Sequence, residues 1–392
     1  MKRLLSFWLV LSLLGVSGAA RAEPLRDNDL KISAPSAVLM EKETGELLYE
    51  KGAHERRPPA SVTKVMTLLL IVEDIESGKI ALEDVVTASA RAASFGGSCV
   101  YLEEGEQMSV DEMLKCIAVV SANDCAVAMA EHLCGSEELF VERMNRRAEE
   151  LGMGETHFTN CTGLFEDEDH YTSAWDVALM SRALIRHELV KRYTTIWMDS
   201  IRGGAFGLNN TNKLVYWYPG CTGLKTGYTS QALYCLAATA ERDGTEYVAV
   251  IMRAQSIDSR NADAKALLNY AFANFALCPL PTEAELPAAE LRCGTDVAVP
   301  LRPADGARAI LVPKGGESCS FSCELSEAAA PVCEGQRLGT LVVRRGGEEL
   351  ARLPLEAAAT VERIGFTGIL GRLAASLVGL QSGCFSLVFP AE

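Results

Sequence analysis

Pro59-Ala60-Ser61-Val62-Thr63-Lys64-Val65-Met66-Thr67 is the stretch on which the reading of this chain turns. Two prolines, Pro58 and Pro59, stop any helix before them and suit a helix start. Val62, Val65, Met66, Leu69 and Val72 then recur at helical spacing, so a helix is expected over residues 58–77. Ser61 and Lys64 stand three residues apart and share one face of that helix. A serine hydroxyl is a poor nucleophile at neutral pH and needs an adjacent base. The neighbours Val65, Met66 and Leu68 are apolar, and desolvation lowers a lysine pKa. A neutral Lys64 would then accept the Ser61 proton.

Two further patterns follow downstream, Ser121-Ala122-Asn123 and Lys225-Thr226-Gly227. S-x-x-K and S-x-N should each arise about once by chance in a chain of this length, and K-T-G about 0.1 times. A second S-x-N does occur, at Ser259-Arg260-Asn261. The weight lies in the ordered set and its contexts: an apolar helix start, a break between helices, and a strand. Ser121 would relay a proton toward the leaving group. Asn123 would either hold a substrate amide or fix Lys64. Lys225, with Thr226, would take a substrate carboxylate. Gly227, lacking a side chain, would let a substrate backbone lie close. An oxyanion needs two N–H donors, by position those of Ser61 and Tyr228.

The flanking segments give an α+β layout. Residues 36–50 read as a hairpin turning at Thr44-Gly45, and residues 233–251 as a second hairpin around Asp243-Gly244. Residues 110–134 read as two helices with Asp124 as the N-cap of the second. A helix over 173–188 opens at Ser173 with Asp176 three residues on, and another runs through residues 267–275. First and last strands should share one antiparallel sheet. From about residue 281 short apolar runs such as Ala309-Ile310-Leu311-Val312 alternate with turns, which suggests a small all-β domain to about 358. Val361, Ile364, Ile369, Leu370, Leu373, Leu377 and Leu380 then mark an amphipathic terminal segment, residues 360–392, suited to the plane of a membrane surface.

Lys2 and Arg3, an apolar run over residues 4–14, and Ala20-Arg21-Ala22 read as a secretory signal over residues 1–22. Cleavage after Ala22 removes three basic residues and no acid, taking the formal net charge from −15 to −18. That balance opposes a nucleic-acid binder. The 13 cysteines include no C-x-x-C pair, against a zinc ribbon or thioredoxin-type site. Most read as small core hydrophobes; Cys319, Cys323 and Cys333 could include a disulfide.

The motif set resembles the signature of penicillin-binding proteins and class A β-lactamases. The likeness extends to Ser121-Ala-Asn-Asp-Cys-Ala-Val-Ala-Met-Ala-Glu-His132, to Phe158-Thr-Asn-Cys-Thr-Gly-Leu164 with His170-Tyr-Thr-Ser173, and to Gly223-Leu-Lys-Thr-Gly-Tyr-Thr229. Over residues 30–278 the chain is similar to the low-molecular-weight penicillin-binding proteins, the D-alanyl-D-alanine carboxypeptidases of peptidase family S11. The resemblance implies a penicilloyl-serine transferase core with a five-stranded antiparallel sheet, then the β-rich domain at 281–358 and the C-terminal anchor. It implies removal of the terminal D-alanine from peptidoglycan stem pentapeptides through an acyl-Ser61 intermediate. β-Lactam antibiotics would be covalent inhibitors, and the chain would work outside the cytoplasmic membrane. No metal or organic cofactor is implied. Ala122 stands where the family often has Gly, and Tyr228 where some members carry His.

A β-lactamase would need a glutamate to activate the deacylating water. Glu166 and Glu168 lie between the second and third motifs, but no local pattern sets either beside Ser61. A D,D-endopeptidase would use the same core. A non-catalytic wall-peptide-binding protein would not require a serine–lysine pair. His170 and Asp176 read as structural, the latter as a helix-start residue.

Overall fold

The computed structural model describes residues 25–26, 30–164 and 167–377. The proposed signal segment, Glu166 and Leu380 lie outside them. The fold is α+β and divides into two compact units. One runs to Cys278 and includes Ala309–Lys314; the other comprises Pro279–Arg308 and the chain from Gly315.

The first unit is built on a sheet of β1 (Leu25–Arg26), β2 (Ser36–Glu41), β3 (Leu47–Lys51), β4 (Cys221–Thr229), β5 (Leu233–Arg242) and β6 (Thr245–Ala254), in the spatial order β1-β3-β2-β6-β5-β4. First and last strands thus pair as the sequence implies, with Leu39 opposite Ala249. Five strands are antiparallel; β1 adds a sixth, parallel to β3. The turn between β5 and β6 places Asp243 and Gly244 at φ 52° and 74°, the geometry a two-residue hairpin demands.

Alternate strand residues face opposite ways, and both faces are covered. Val38, Met40, Ala237, Val248 and Val250 join one apolar cluster. Ala37, Leu39, Leu236, Tyr247 and Ile251 join the other. The first cluster packs on α1 (Lys64–Glu76), α2 (Val110–Val119), α3 (Asn123–Cys134) and α4 (Ala174–Ile185). The second packs on α5 (Ile257–Asn274) through Leu267, Leu268 and Phe272.

Helix α1 has no side-chain N-cap; a 3-10 turn, Ala60–Thr63, leads into it. A missing cap costs about 1 kcal/mol. Burial of Leu68, Leu69, Leu70, Ile71 and Val72 on all sides contributes about 2 kcal/mol apiece and wins. Helix α4 opens as expected, with the Ser173 hydroxyl accepting from the Asp176 amide at 3.1 Å. Helix α5 begins ten residues before the expected 267, because Ser256 and Ser259 form a reciprocal cap. Asp124 is not an N-cap: Ala122 holds that position, and the Asp124 carboxylate instead takes the Val100 and Leu102 amides at 3.0 and 3.1 Å.

In the second unit β7 (Leu301–Pro303), β8 (Ser320–Leu325), β9 (Arg337–Arg345) and β10 (Glu348–Ala357) form an antiparallel sheet in the order β7-β10-β9-β8. The Ala309–Pro313 strand, expected here, belongs with the first unit, where Leu311 packs beside α5. Cys319, Cys323 and Cys333 carry free thiols. Val361 is not part of the terminal helix; it is buried and bridges to Val332. Helix α6 (Phe366–Leu377) follows, with Phe366, Ile369, Leu370 and Leu373 exposed at the spacing of one helical face. Among the described residues no helix is long and apolar enough to cross a membrane.

Candidate active site

The 3-10 turn before α1 carries Ser61, and the first residue of α1 is Lys64. The three-residue offset brings the Lys64 amine to 3.1 Å from the Ser61 hydroxyl. The amine also donates to Asn123 Oδ1 at 2.6 Å and to the Thr162 carbonyl at 2.9 Å. Lys64 is wholly buried. Desolvation, opposed by weaker attraction from Cys161, Cys99 and Asp124, brings its pKa from 10.5 to about 7. A substantial neutral fraction therefore exists at neutral pH beside the hydroxyl it would deprotonate.

Asn123 is the link between the first two motifs. Its Nδ2 donates to the Gly96 carbonyl at 2.7 Å, which orients its oxygen at Lys64. Of the two sequence readings for Asn123, the geometry is that of a residue fixing the lysine. Ser121 precedes it with φ 66°, and its buried hydroxyl has no hydrogen-bond partner among the described residues.

The third motif lies on β4. Lys225 is buried and donates to the Thr226 carbonyl at 2.9 Å. Burial, then repulsion from Lys64 and Arg260, pushes it well below the ordinary lysine range. A carboxylate arriving beside it would favour its charged form. The Thr226 hydroxyl donates to Thr211 at 2.8 Å. Tyr228 is 56% exposed and its ring lies against that of Tyr234 at 4.6 Å.

Gly227 has a close neighbour within the chain itself. A Cβ there would lie 2.9 Å from the Pro59 carbonyl oxygen and 3.1 Å from the Ser61 amide nitrogen. The space is already taken by the turn that carries Ser61. From another direction Gly163 presses on the same turn, where a Cβ would overlap the Ala60 carbonyl. Ala60 itself sits at φ 48°.

Three further contributions shape the site, and only the first carried no residue-type signal. The Thr162 carbonyl is held in place because Asn160 Oδ1 accepts the Thr162 and Gly163 amides at 3.1 and 2.6 Å. The segment 158–164 stood out in the sequence, but its carbonyl did not. Buried His170 accepts the Thr159 amide at Nδ1, 3.0 Å away, and its Nε2 lies 2.8 Å from the Thr63 hydroxyl. That hydroxyl donates to the Ala60 carbonyl at 2.8 Å. Burial lowers the His170 pKa to about 4, so the ring is neutral at physiological pH and braces the Ser61 turn. The Asp176 carboxylate takes the Glu155 amide and Thr156 hydroxyl. Among the described residues no cluster of three His, Cys, Asp or Glu side chains could hold a metal ion.

A serine and a buried lysine one turn apart, backed by an antiparallel sheet between helical layers, mark the class of transpeptidase-like serine enzymes. Within it, the chain belongs to the D-alanyl-D-alanine carboxypeptidase family, peptidase family S11, whose model matches residues 21–256; it is a serine peptidase of that family. The D-alanyl-D-alanine carboxypeptidase DacF of Bacillus subtilis is 42% identical over 382 residues, covering 95% of this chain and 98% of that one. Penicillin-binding protein 5 from Haemophilus influenzae superposes with a TM-score of 0.76 at 30% identity, covering 85% of this chain and 98% of its own. Penicillin-binding protein D2 from Listeria monocytogenes in its ampicillin-bound form matches with a TM-score of 0.57 at 30% identity, over 62% of this chain and 99% of that one.

Proposed function

We propose that the chain removes the terminal D-alanine from peptidoglycan stem pentapeptides through an acyl-Ser61 intermediate. The observation that carries this reading is the buried Lys64 amine, 3.1 Å from the Ser61 hydroxyl with a pKa of about 7. Lys64 takes the Ser61 proton as Oγ attacks the carbonyl of the penultimate D-alanine. The amides of Ser61 and Tyr228 receive the oxyanion, and Lys225 with Thr226 receives the terminal carboxylate. When the C–N bond breaks, the proton on Lys64 passes through the Ser121 hydroxyl to the leaving amine. A water then attacks the ester, gives its proton to Lys64, and Ser61 regains its hydrogen. A β-lactam offers the same carbonyl and carboxylate, and would leave Ser61 acylated.

The same reading puts the work outside the cytoplasm. Residues 1–22 act as the export signal, 30–278 as the catalytic domain and 281–358 as the β-rich domain. Residues 360–392 lie on the outer face of the cytoplasmic membrane through the apolar face of Phe366, Ile369, Leu370 and Leu373, all of them exposed.

Mass spectrometry of the mature protein with penicillin, followed by D-alanine release from a stem pentapeptide, tests the chemistry. A stable adduct on Ser61 with D-alanine release is expected, and Ser61→Ala should abolish both while keeping the fold. Fast penicillin hydrolysis without D-alanine release would identify a β-lactamase. Absence of any adduct would identify a binding protein.

A further inference from the structure

One aromatic surface has no part in the chemistry above. Tyr216 and Trp217 are 59% and 68% exposed. Their rings meet edge to face at 4.7 Å, and Tyr216 also packs on Trp197 at 5.2 Å, tilted by 34°. Exposed apolar residues scattered singly need no explanation, but Tyr216 and Trp217 adjoin, backed by half-buried Trp197, and such patches mark binding surfaces.

We propose that Trp197, Tyr216 and Trp217 form a stacking platform for sugar rings of the glycan strand from which the stem peptide hangs. The proposal rests on the carboxypeptidase reading and names the part of the substrate which that reading leaves unplaced. Position is the first argument. The Thr211 amide donates to the Val119 carbonyl at 3.0 Å, two residues before Ser121, and the Thr211 hydroxyl accepts from Thr226 at 2.8 Å. The chain from Thr211 to Tyr216 thus starts between the second and third motifs and leads directly to the platform. Its reach is at most about 17 Å, less where Leu214–Trp217 winds into a helical turn. The part of a pentapeptide stem before the scissile bond spans about 14 Å when extended. The platform thus lies no farther from Thr211 than about the length of the stem, which brings a sugar at the stem's far end within its compass.

Chemistry is the second argument. Sugar rings present flat C–H faces edged by hydroxyls. Tyr and Trp present flat apolar faces with an O–H or N–H at the edge, which suits a ligand that is apolar on one side and wet on the other. A lipid surface would match the apolar faces alone and leave the O–H and N–H edges unused.

The test compares kcat/KM on free stem pentapeptide with that on pentapeptide still attached to glycan chains. Tyr216→Ala/Trp217→Ala should lower the glycan-linked value relative to the free one by about ten-fold, at two- to ten-fold per ring. Tyr216→Phe/Trp217→Phe, which keeps the ring faces, should preserve the ratio. An unchanged ratio in the double alanine variant overturns the platform. Cosedimentation with peptide-free glycan chains, and separately with phosphatidylglycerol vesicles, reads binding without turnover. Loss of glycan binding in the alanine variant supports the platform; loss of vesicle binding alone overturns it in favour of a lipid contact. Were the wild type inert on both peptides, the carboxypeptidase reading would fall, and the glycan cosedimentation would still decide the platform.

Discussion

In the unit that carries Ser61, two lysines are wholly buried, a serine hydroxyl lies unpartnered, and Ala60 and Ser121 adopt positive φ. In the β-rich unit the buried residues are apolar, among them Leu301, Leu341, Val343 and Leu355, and no polar or charged residue joins them among the described ones. Several of its arginines sit in partly exposed pairs, such as Arg302 with Glu356 and Arg344 with Glu349. Positive φ is not confined to one unit, since Cys293 and Asp305 have it in the β-rich one; the buried lysines are what set the Ser61 unit apart. Buried charge of that kind is the expected mark of function. Bringing the Lys64 pKa from 10.5 to about 7 opposes folding by on the order of 5 kcal/mol at and below neutral pH. The apolar cluster around α1 supplies the stability that tolerates this.

The comparison can be broken most forcefully at Lys64. Lys64→Met should slow acylation by about 10³-fold, and the wild-type acylation rate should rise with pH through about 7. The variant should also lose a pH dependence of stability. The folded pKa lies below the unfolded one, so between about 7 and 10.5 the unfolded chain holds the extra proton. Wild-type stability therefore gains with rising pH across that window. The difference between wild type and variant in urea titrations at pH 7 and pH 10 should amount to a few kcal/mol. Parallel curves would mean that Lys64 is not the costly buried amine described here.

Gly227→Ala comes next. The added methyl meets backbone of Pro59 and Ser61, which cannot swing aside as a side chain would. Acylation should slow by about 10²-fold, with about 1–3 kcal/mol lost on denaturation. A variant with normal stopped-flow acylation would show that the Ser61 turn has room to spare. The smallest effect on chemistry is expected from the other unit. Removing residues 360–392 should leave acylation unchanged and abolish cosedimentation with lipid vesicles. Retained vesicle binding would sink the anchor, and altered acylation would erase the division of labour between the units.

Much of this was legible in the sequence because the relevant signals are local. The i, i+3 spacing sets Lys64 against Ser61, and Asp243-Gly244 with its alternating flanks sets β5 against β6. What escaped depended on atoms that every residue shares. The Thr162 carbonyl that holds Lys64 has no residue-type signature. Asp124 looked like a cap because caps and loop anchors use the same carboxylate, and only the fold shows the Val100 and Leu102 amides reaching it. At Gly227 the sequence pointed to a substrate backbone, and only the fold shows that Pro59 and Ser61 also lie against it. The strand at Ala309–Pro313 followed the wrong unit because a short apolar run does not state its partner.

The two glycines that press on the Ser61 turn have a consequence for drug resistance. Escape from a covalent inhibitor by mutation requires positions that can vary while turnover survives. Gly163 and Gly227 close that route around the proposed nucleophile, since any side chain there meets the backbone of the Ser61 turn. Variation that separates natural substrate from antibiotic is left to the rim, where Tyr228 points into solvent. If Ser61 is acylated as proposed, the turn that takes the acyl group is thus one where these two positions have no room for a side chain.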